Sequence, residues 1–258
     1  MRKEQEQFAF STVFEGMTSI RAILHGKETG VNDRTIDRIL YDTAKEKKLL
    51  KDLGYLRYMG SRYGFPVEGV DAEVIDSYAI GNTHGGLIAI CGARTLPHLS
   101  SPDLLPESGF FALIEGIEDP YNFGYAMRSL YACGVDGVIL GTRNWMSAAG
   151  VVARASAGAS EQLPLYVADV SDTIDLFKGA GYLTVAADLR TDRTLGTTPL
   201  PKPLLLIAGG EKRGISRSIL DKVDLLVKIP YGREFSASLS AASAVTMFAY
   251  EIMRQNLS

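Results

Sequence analysis

The chain reads as an α/β protein in two parts, and three observations predict it. Short apolar runs alternate with stretches of helical period after residue 109, and a smaller set of the same kind lies before residue 95. Between the two, residues 96–108 carry Pro97, Pro102 and Pro106 with Ser100, Ser101 and Ser108, which interrupts every period. An N-terminal α/β domain of residues 1–95, a linker of 96–108 and a larger domain of 109–258 follow. In the larger part, alternation of buried strand and helix predicts a mainly parallel sheet covered on both faces.

In the first part, residues 18–25 and 42–53 have helical period, and residues 36–41, 66–70 and 87–91 read as extended. The charge-rich residues 45–52 mix signs, which reads as a solvated helix face. In the second part the expected strands are 110–117, 138–140, 165–167, 183–186, 204–208 and 225–229. Helices are expected over 122–132, 146–155, 173–178 and 238–255, with a short turn from Ser216.

Composition bounds the function. The 258 residues are 46% hydrophobic and 22% charged, enough for two cores. Lys and Arg number 27 against 30 Asp and Glu, so the net charge of −3 does not advertise a polyanionic partner, and a nucleic-acid surface has to be a local patch. Cys91 and Cys133 lack C-x-x-C spacing, and His25, His84 and His98 lack metal-ligand spacing; neither a metal site nor a disulfide framework is expected. The first residues carry no apolar export segment, and no apolar run reaches membrane-spanning length, so a cytoplasmic location is expected.

Three strand-end segments carry the chemistry. Gly209-Gly210-Glu211-Lys212-Arg213-Gly214 follows the apolar run ending at Ala208, and its glycines permit close backbone approach to a ligand. It matches neither G-x-x-x-x-G-K-[ST] nor G-x-G-x-x-G, which disfavours a phosphate loop or a dinucleotide fold. Glu211 suits a cationic partner or a ribose. The second segment runs from Ile229-Pro230 through Ser236, Ser238, Leu239, Ser240 and Ser243 into the last helix, where at least one serine is expected to cap. The third, Asp119-Pro120-Tyr121-Asn122-Phe123-Gly124, leads to Arg128, expected near the same helical face as Asn122 and suited to phosphate through its planar fork.

With these blocks the chain resembles the SpoU (TrmH-type) branch of the SPOUT RNA methyltransferases. Asn122-Phe123-Gly124 with Arg128 resembles the first signature; Gly209, Glu211 and Gly214 resemble G-x-E-x-x-G; Ser238-Leu239-Ser240 resembles S-L-N; and residues 154–159 resemble R-x-S-A-G-A. Residues 16–24 and 82–89 are similar to segments of the family's N-terminal domain, which has the fold of kink-turn-binding ribosomal proteins.

The resemblance implies a SPOUT-type parallel sheet with a trefoil knot, a homodimer, and transfer of a methyl group from S-adenosylmethionine to a ribose 2′-hydroxyl of structured RNA, with ribosomal RNA favoured over transfer RNA and both open. By the same resemblance the catalytic residues are Asn122, Arg128, Glu211 and Ser238. Ala208, Gly209, Gly210, Glu211, Gly214, Ile229, Ser238 and Leu239 hold the cofactor, and Arg143, Arg154, Arg213 and Ser240 meet RNA. Because guanidinium stays protonated, Arg128 is expected to stabilise the developing alkoxide electrostatically rather than act as a base. The chain departs from the pattern at Ser240, where the family has Asn, and at Ala242, where Ser is common. The departure at Ser240 keeps open an alternative, a catalytically impaired RNA-binding protein of the same fold. A Rossmann-like metabolite enzyme is a third reading, disfavoured by the missing dinucleotide pattern.

Overall fold

The structure is a computed structural model that describes residues 12–141, 148–210 and 214–257. The chain forms two compact units, Met1–Thr95 with Trp145–Gln162, and Leu96–Asn144 with Leu163–Ser258.

In the first unit β1 (Val13–Glu15), β2 (Ile36–Asp42), β3 (Val67–Val70) and β4 (Leu87–Cys91) form a sheet of order β1-β4-β2-β3. β4 is antiparallel to both β1 and β2, and β3 is parallel to β2. One face of the sheet joins the core of helices Gly16–Glu28, Glu46–Tyr63 and Ala149–Ala155, with Phe14, Ile20, Ile39, Leu53, Leu56 and Ala153 in contact. The other face buries Leu40 and Ile88 beneath Ile75 of the short helix Ala72–Tyr78. That helix and β1 were not expected, since one buried anchor in seven residues leaves no readable period. The expected helix of 42–53 instead starts at Glu46, because Asp42 ends β2 and caps the turn between by accepting from the Ala44 N–H. It runs on to Tyr63, where Gly64 adopts φ 79° and closes it.

Residues 148–162, expected with the second part of the chain, pack with the first. Ala149 and Ala153 enter its core, and a Cβ at Gly158 would collide with Ala22. Glu161 accepts hydrogen bonds from the Arg34 and Asn32 side chains, deep in the unit.

The second unit is a six-stranded, all-parallel sheet of order β10-β8-β9-β5-β6-β7. The strands are β5 (Phe110–Glu115), β6 (Gly137–Leu140), β7 (Leu165–Val167), β8 (Leu183–Ala187), β9 (Leu204–Gly209) and β10 (Leu225–Val227). β5 and β9 pair in the centre from Phe110↔Leu204 to Glu115↔Gly209, so loops far apart in sequence leave the sheet side by side. On one face Phe111, Phe177 and Tyr182 pack edge to face with ring centres 5.0 to 6.0 Å apart. The helix Ala241–Gln255 buries Val245, Phe248, Ala249 and Ile252 and packs on β9 and the helix Pro120–Ala132.

Several element ends differ from expectation, among them the helices Pro120–Ala132 and Val170–Gly179, which begin two and three residues earlier than expected. β5 stops two residues early, before Gly116 at φ 74°, and β10 stops at Val227 rather than 229. The last helix begins at Ala241 rather than 238, because Ser240 is its cap. Among the described residues no helix is long and apolar enough to cross a membrane.

Candidate functional site

The carboxyl ends of β8, β9 and β10 enclose a pocket of about 340 Å³, where open parallel sheets place their ligands. Its base is the end of β9. The Gly214 N–H donates to the Gly210 carbonyl at 2.9 Å, which brings these two glycines together. A Cβ at Gly209 would press on the Gly214 and Ile215 backbone, and one at Gly210 would overlap the carbonyl of Gly116 in the loop after β5. The glycines are therefore needed because two main chains touch here.

The wall from β10 is Ile229 and Tyr231, and the Tyr231 hydroxyl accepts from the Leu239 N–H at 3.2 Å. That bond pins Ser238 and Leu239 over the pocket, ahead of the last helix. From that helix Ala241, Ala244, Val245 and Phe248 complete the apolar side. After β8, Arg190 donates from Nε and Nη2 to the two oxygens of Asp188, each at 2.9 Å. This fork holds the Asp188 carboxyl below its ordinary range, so a carboxylate and its own cation stand at the pocket edge.

Ala208, Gly209, Gly210, Gly214, Ile229, Ser238 and Leu239, all named from sequence as cofactor contacts, line this one pocket. Glu211, Arg143 and Arg213 lie outside the described residues. Ser240 turns away to cap the last helix, accepting from the Ser243 N–H at 3.2 Å. Serine and asparagine cap about equally well, so the departure at this position preserves the local fold. Ser240→Asn is expected to leave stability within about 0.5 kcal/mol, whereas Ser240→Ala should cost about 1 kcal/mol, read by urea denaturation.

Asn122 and Arg128 do not line the pocket. Asp119 caps their helix by accepting from the Tyr121 and Asn122 N–H groups, and Pro120 occupies its first turn. Asn122 is half-buried and Arg128 exposed, with no ion pair among the described residues, which corrects the expectation that they share a face. Six residues at ~100° each leave them about 120° apart. Their helix reaches the pocket through the last helix, against which it packs, with Ser129 and Thr246 hydroxyls 2.6 Å apart. Arg154, named from sequence as an RNA contact, donates to Glu15 at 2.6 Å in the first unit.

Sequence reasoning missed Gly116, Tyr231 and the Asp188–Arg190 fork. An acid just past a strand end with Arg two residues on was the available signal for the fork. It also missed Glu115, at the end of β5 in register with Gly209. One Glu115 oxygen is buried without a hydrogen bond among the described residues, and burial together with the nearby Asp169 charge pushes its carboxyl above the ordinary range.

Known proteins resemble the chain over both units. It is 27% identical to YacO of Bacillus subtilis, named as a TrmH family tRNA/rRNA methyltransferase, over 89% of this chain and 94% of that protein. A protein of the same family name from Staphylococcus haemolyticus is 35% identical over 55% of this chain, and the match spans 57% of that relative's length. In structure, the AdoMet-bound rRNA methyltransferase from Sinorhizobium meliloti superposes with a TM-score of 0.77 at 22% identity, covering 100% of this chain and 92% of that one. At that identity the likeness establishes the α/β fold with its parallel sheet. The sequence model of the SpoU rRNA Methylase family matches residues 109–250, more than half of the chain, and the chain belongs to that family.

Proposed function

We propose that the protein transfers the methyl group of S-adenosylmethionine to a ribose 2′-hydroxyl of structured RNA, with ribosomal RNA favoured over transfer RNA. The observation that carries this reading is the strand-end pocket, walled by Leu206, Ile229, Leu239, Val245 and Phe248 and floored by glycine backbone. An apolar slot with main-chain donors and acceptors at its edge suits an adenine ring, whose polar edge needs hydrogen bonds and whose faces need apolar cover. Bound there, S-adenosylmethionine supplies an electrophilic methyl: its methyl–sulfur bond breaks as the ribose oxygen–methyl bond forms, and the hydroxyl proton is lost.

The poor nucleophilicity of a hydroxyl is the difficulty the protein has to meet. Arg128 is exposed, and its guanidinium would take the phosphate beside the target ribose and stabilise negative charge on the attacking oxygen. Asn122 orients the nucleotide, Ser238 stands at the pocket mouth, and Glu211 positions partner or ligand.

The same reading includes a trefoil-knotted chain, a cytoplasmic location and a first unit of the kink-turn-binding ribosomal protein type that recognises RNA. It also includes a homodimer through the helices Pro120–Ala132 and Ala241–Gln255. Exposed Tyr121, Tyr125 and Tyr131 on the first helix and Met247 and Tyr250 on the second supply apolar surface for such an interface.

The test is transfer of radiolabelled methyl groups from S-adenosylmethionine to ribosomal RNA taken from cells lacking the protein, followed by mapping of 2′-O-methyl positions. Label on a base, or none on any RNA, would sink the reading. Arg128→Ala is expected to retain cofactor binding by calorimetry while turnover falls about 10²- to 10³-fold.

A further inference from the structure

The helix Glu46–Tyr63 of the first unit carries a surface that the pocket does not explain. Its five basic residues, Lys47, Lys48, Lys51, Arg57 and Arg62, are all exposed, in a chain whose net charge is negative. Its two acids are half-buried and engaged: Glu46 with Arg57 at 3.4 Å and Asp52 with Arg21 at 3.0 Å. Lys47, Lys48 and Lys51 have no carboxylate partner among the described residues. Lys47, Lys51, Gly54 and Tyr58 recur at helical spacings of four, three and four, so they form one stripe along the helix.

Tyr58 is 65% exposed and Leu50, beside the stripe, 64%. Packing accounts for neither. Gly54 is a further anomaly: it is exposed, and a Cβ there would meet nothing within 4 Å. A helix interior gains from a side chain at such a position, so the fold has no use for this glycine. It leaves a flat gap between a lysine and an exposed aromatic ring, where a base could lie on the ring while the lysines meet its phosphates.

The geometry points to this stripe as an RNA-docking surface, in which Lys47, Lys48 and Lys51 meet backbone phosphates and Tyr58 stacks a base over Gly54. It rests on the RNA substrate class proposed above and names where the first unit holds that RNA. The lysines give a sequence-independent electrostatic grip; the tyrosine favours unpaired nucleotides, whose faces are open.

The experiment measures binding of ribosomal RNA from cells lacking the protein across a series of salt concentrations. A Lys47→Gln, Lys48→Gln, Lys51→Gln protein should bind roughly tenfold or more weakly, with the slope of log affinity against log salt reduced by about two. Tyr58→Ala should weaken binding with the slope unchanged. Gly54→Gln should raise Tm and still weaken binding, a combination that a purely structural role would not give. Calorimetry with S-adenosylmethionine should be unchanged in all three variants.

Wild-type affinity and slope in the triple variant overturn the surface and leave the proposed reaction standing, as does a loss of affinity that follows a loss of Tm. Unchanged affinity in Gly54→Gln and Tyr58→Ala overturns the stacking platform. A wild-type protein that binds S-adenosylmethionine but neither binds nor methylates RNA overturns both surface and reaction.

Discussion

Gly210→Ala is expected to remove S-adenosylmethionine binding and to lower stability by about 3 kcal/mol. The new Cβ would overlap the Gly116 carbonyl oxygen, and both partners are main chain at the ends of the two central strands. A flexible side chain could swing aside; two paired strands cannot. Relief requires the loop after β9 to lift, and lifting it breaks the 2.9 Å bond from the Gly214 N–H to the Gly210 carbonyl. The same movement carries Ala208, Gly209 and Gly214 out of the pocket floor. At roughly 2–4 °C per kcal/mol for a protein of this size, the melting temperature should fall by about 10 °C. Calorimetry would read the ligand and a thermal scan the fold. Wild-type values in both would show that the two loops do not touch in solution. Gly54→Ala is the control, since its Cβ enters open space.

That contact shows why part of the site was legible in sequence and part was not. The run Leu204–Gly209 is apolar and ends in glycines, so both the strand and a loop of unusual backbone follow from local pattern. The reason for glycine at 210 lies in Gly116, nearly a hundred residues earlier, and local pattern carries no such information. Ser240 teaches the converse. The serine cluster announced a cap without telling which serine holds it, and the hydrogen bond to the Ser243 N–H settles the choice. Arg128 was correctly placed on a helix, yet its distance from the pocket floor depends on how two helices pack, which one helix's period cannot encode. The short helix Ala72–Tyr78 escaped for a plainer reason: only Ile75 is buried, and a single anchor has no period.

The last helix joins the two halves of the proposed mechanism. One flank, through Ala241, Ala244, Val245 and Phe248, lines the pocket, and another, through Thr246, meets Ser129 one residue beyond Arg128. A change that tilts this helix therefore moves cofactor contacts and the arginine-bearing helix together. Ser240 sets the helix start by accepting from the Ser243 N–H.

Glu161→Ala is expected to give the largest loss of stability in the first unit, about 3–5 kcal/mol. Glu161 accepts from Arg34 Nε at 3.0 Å and Arg34 Nη2 at 3.2 Å, and it also accepts from the Asn32 side chain. The Arg34 and Glu161 side chains are 2% and 4% exposed, so removing the carboxylate strands a cation that water cannot reach. Arg94, also buried, donates to the Ser160 and Val31 carbonyls; burial pushes its guanidinium below the ordinary value, and the Glu161 carboxylate opposes that shift. The damage would thus extend to the docking of residues 148–162, a segment the sequence assigned to the other half of the chain. Period and composition describe a segment's own burial, whereas its partner depends on contacts made far away in sequence, the Glu161–Arg34 pair and the Arg154–Glu15 pair among them. Glu161→Gln keeps an acceptor for Arg34 and should lose less than the alanine. Pairing Glu161→Leu with Arg34→Met should recover part of the loss, because no charge is then left buried. Equal stability of Glu161→Ala and wild type in urea would show that the segment is held by its alanines alone, and hydrogen exchange at the Gly158 amide, which donates to the Ala153 carbonyl at 2.7 Å, would then remain slow.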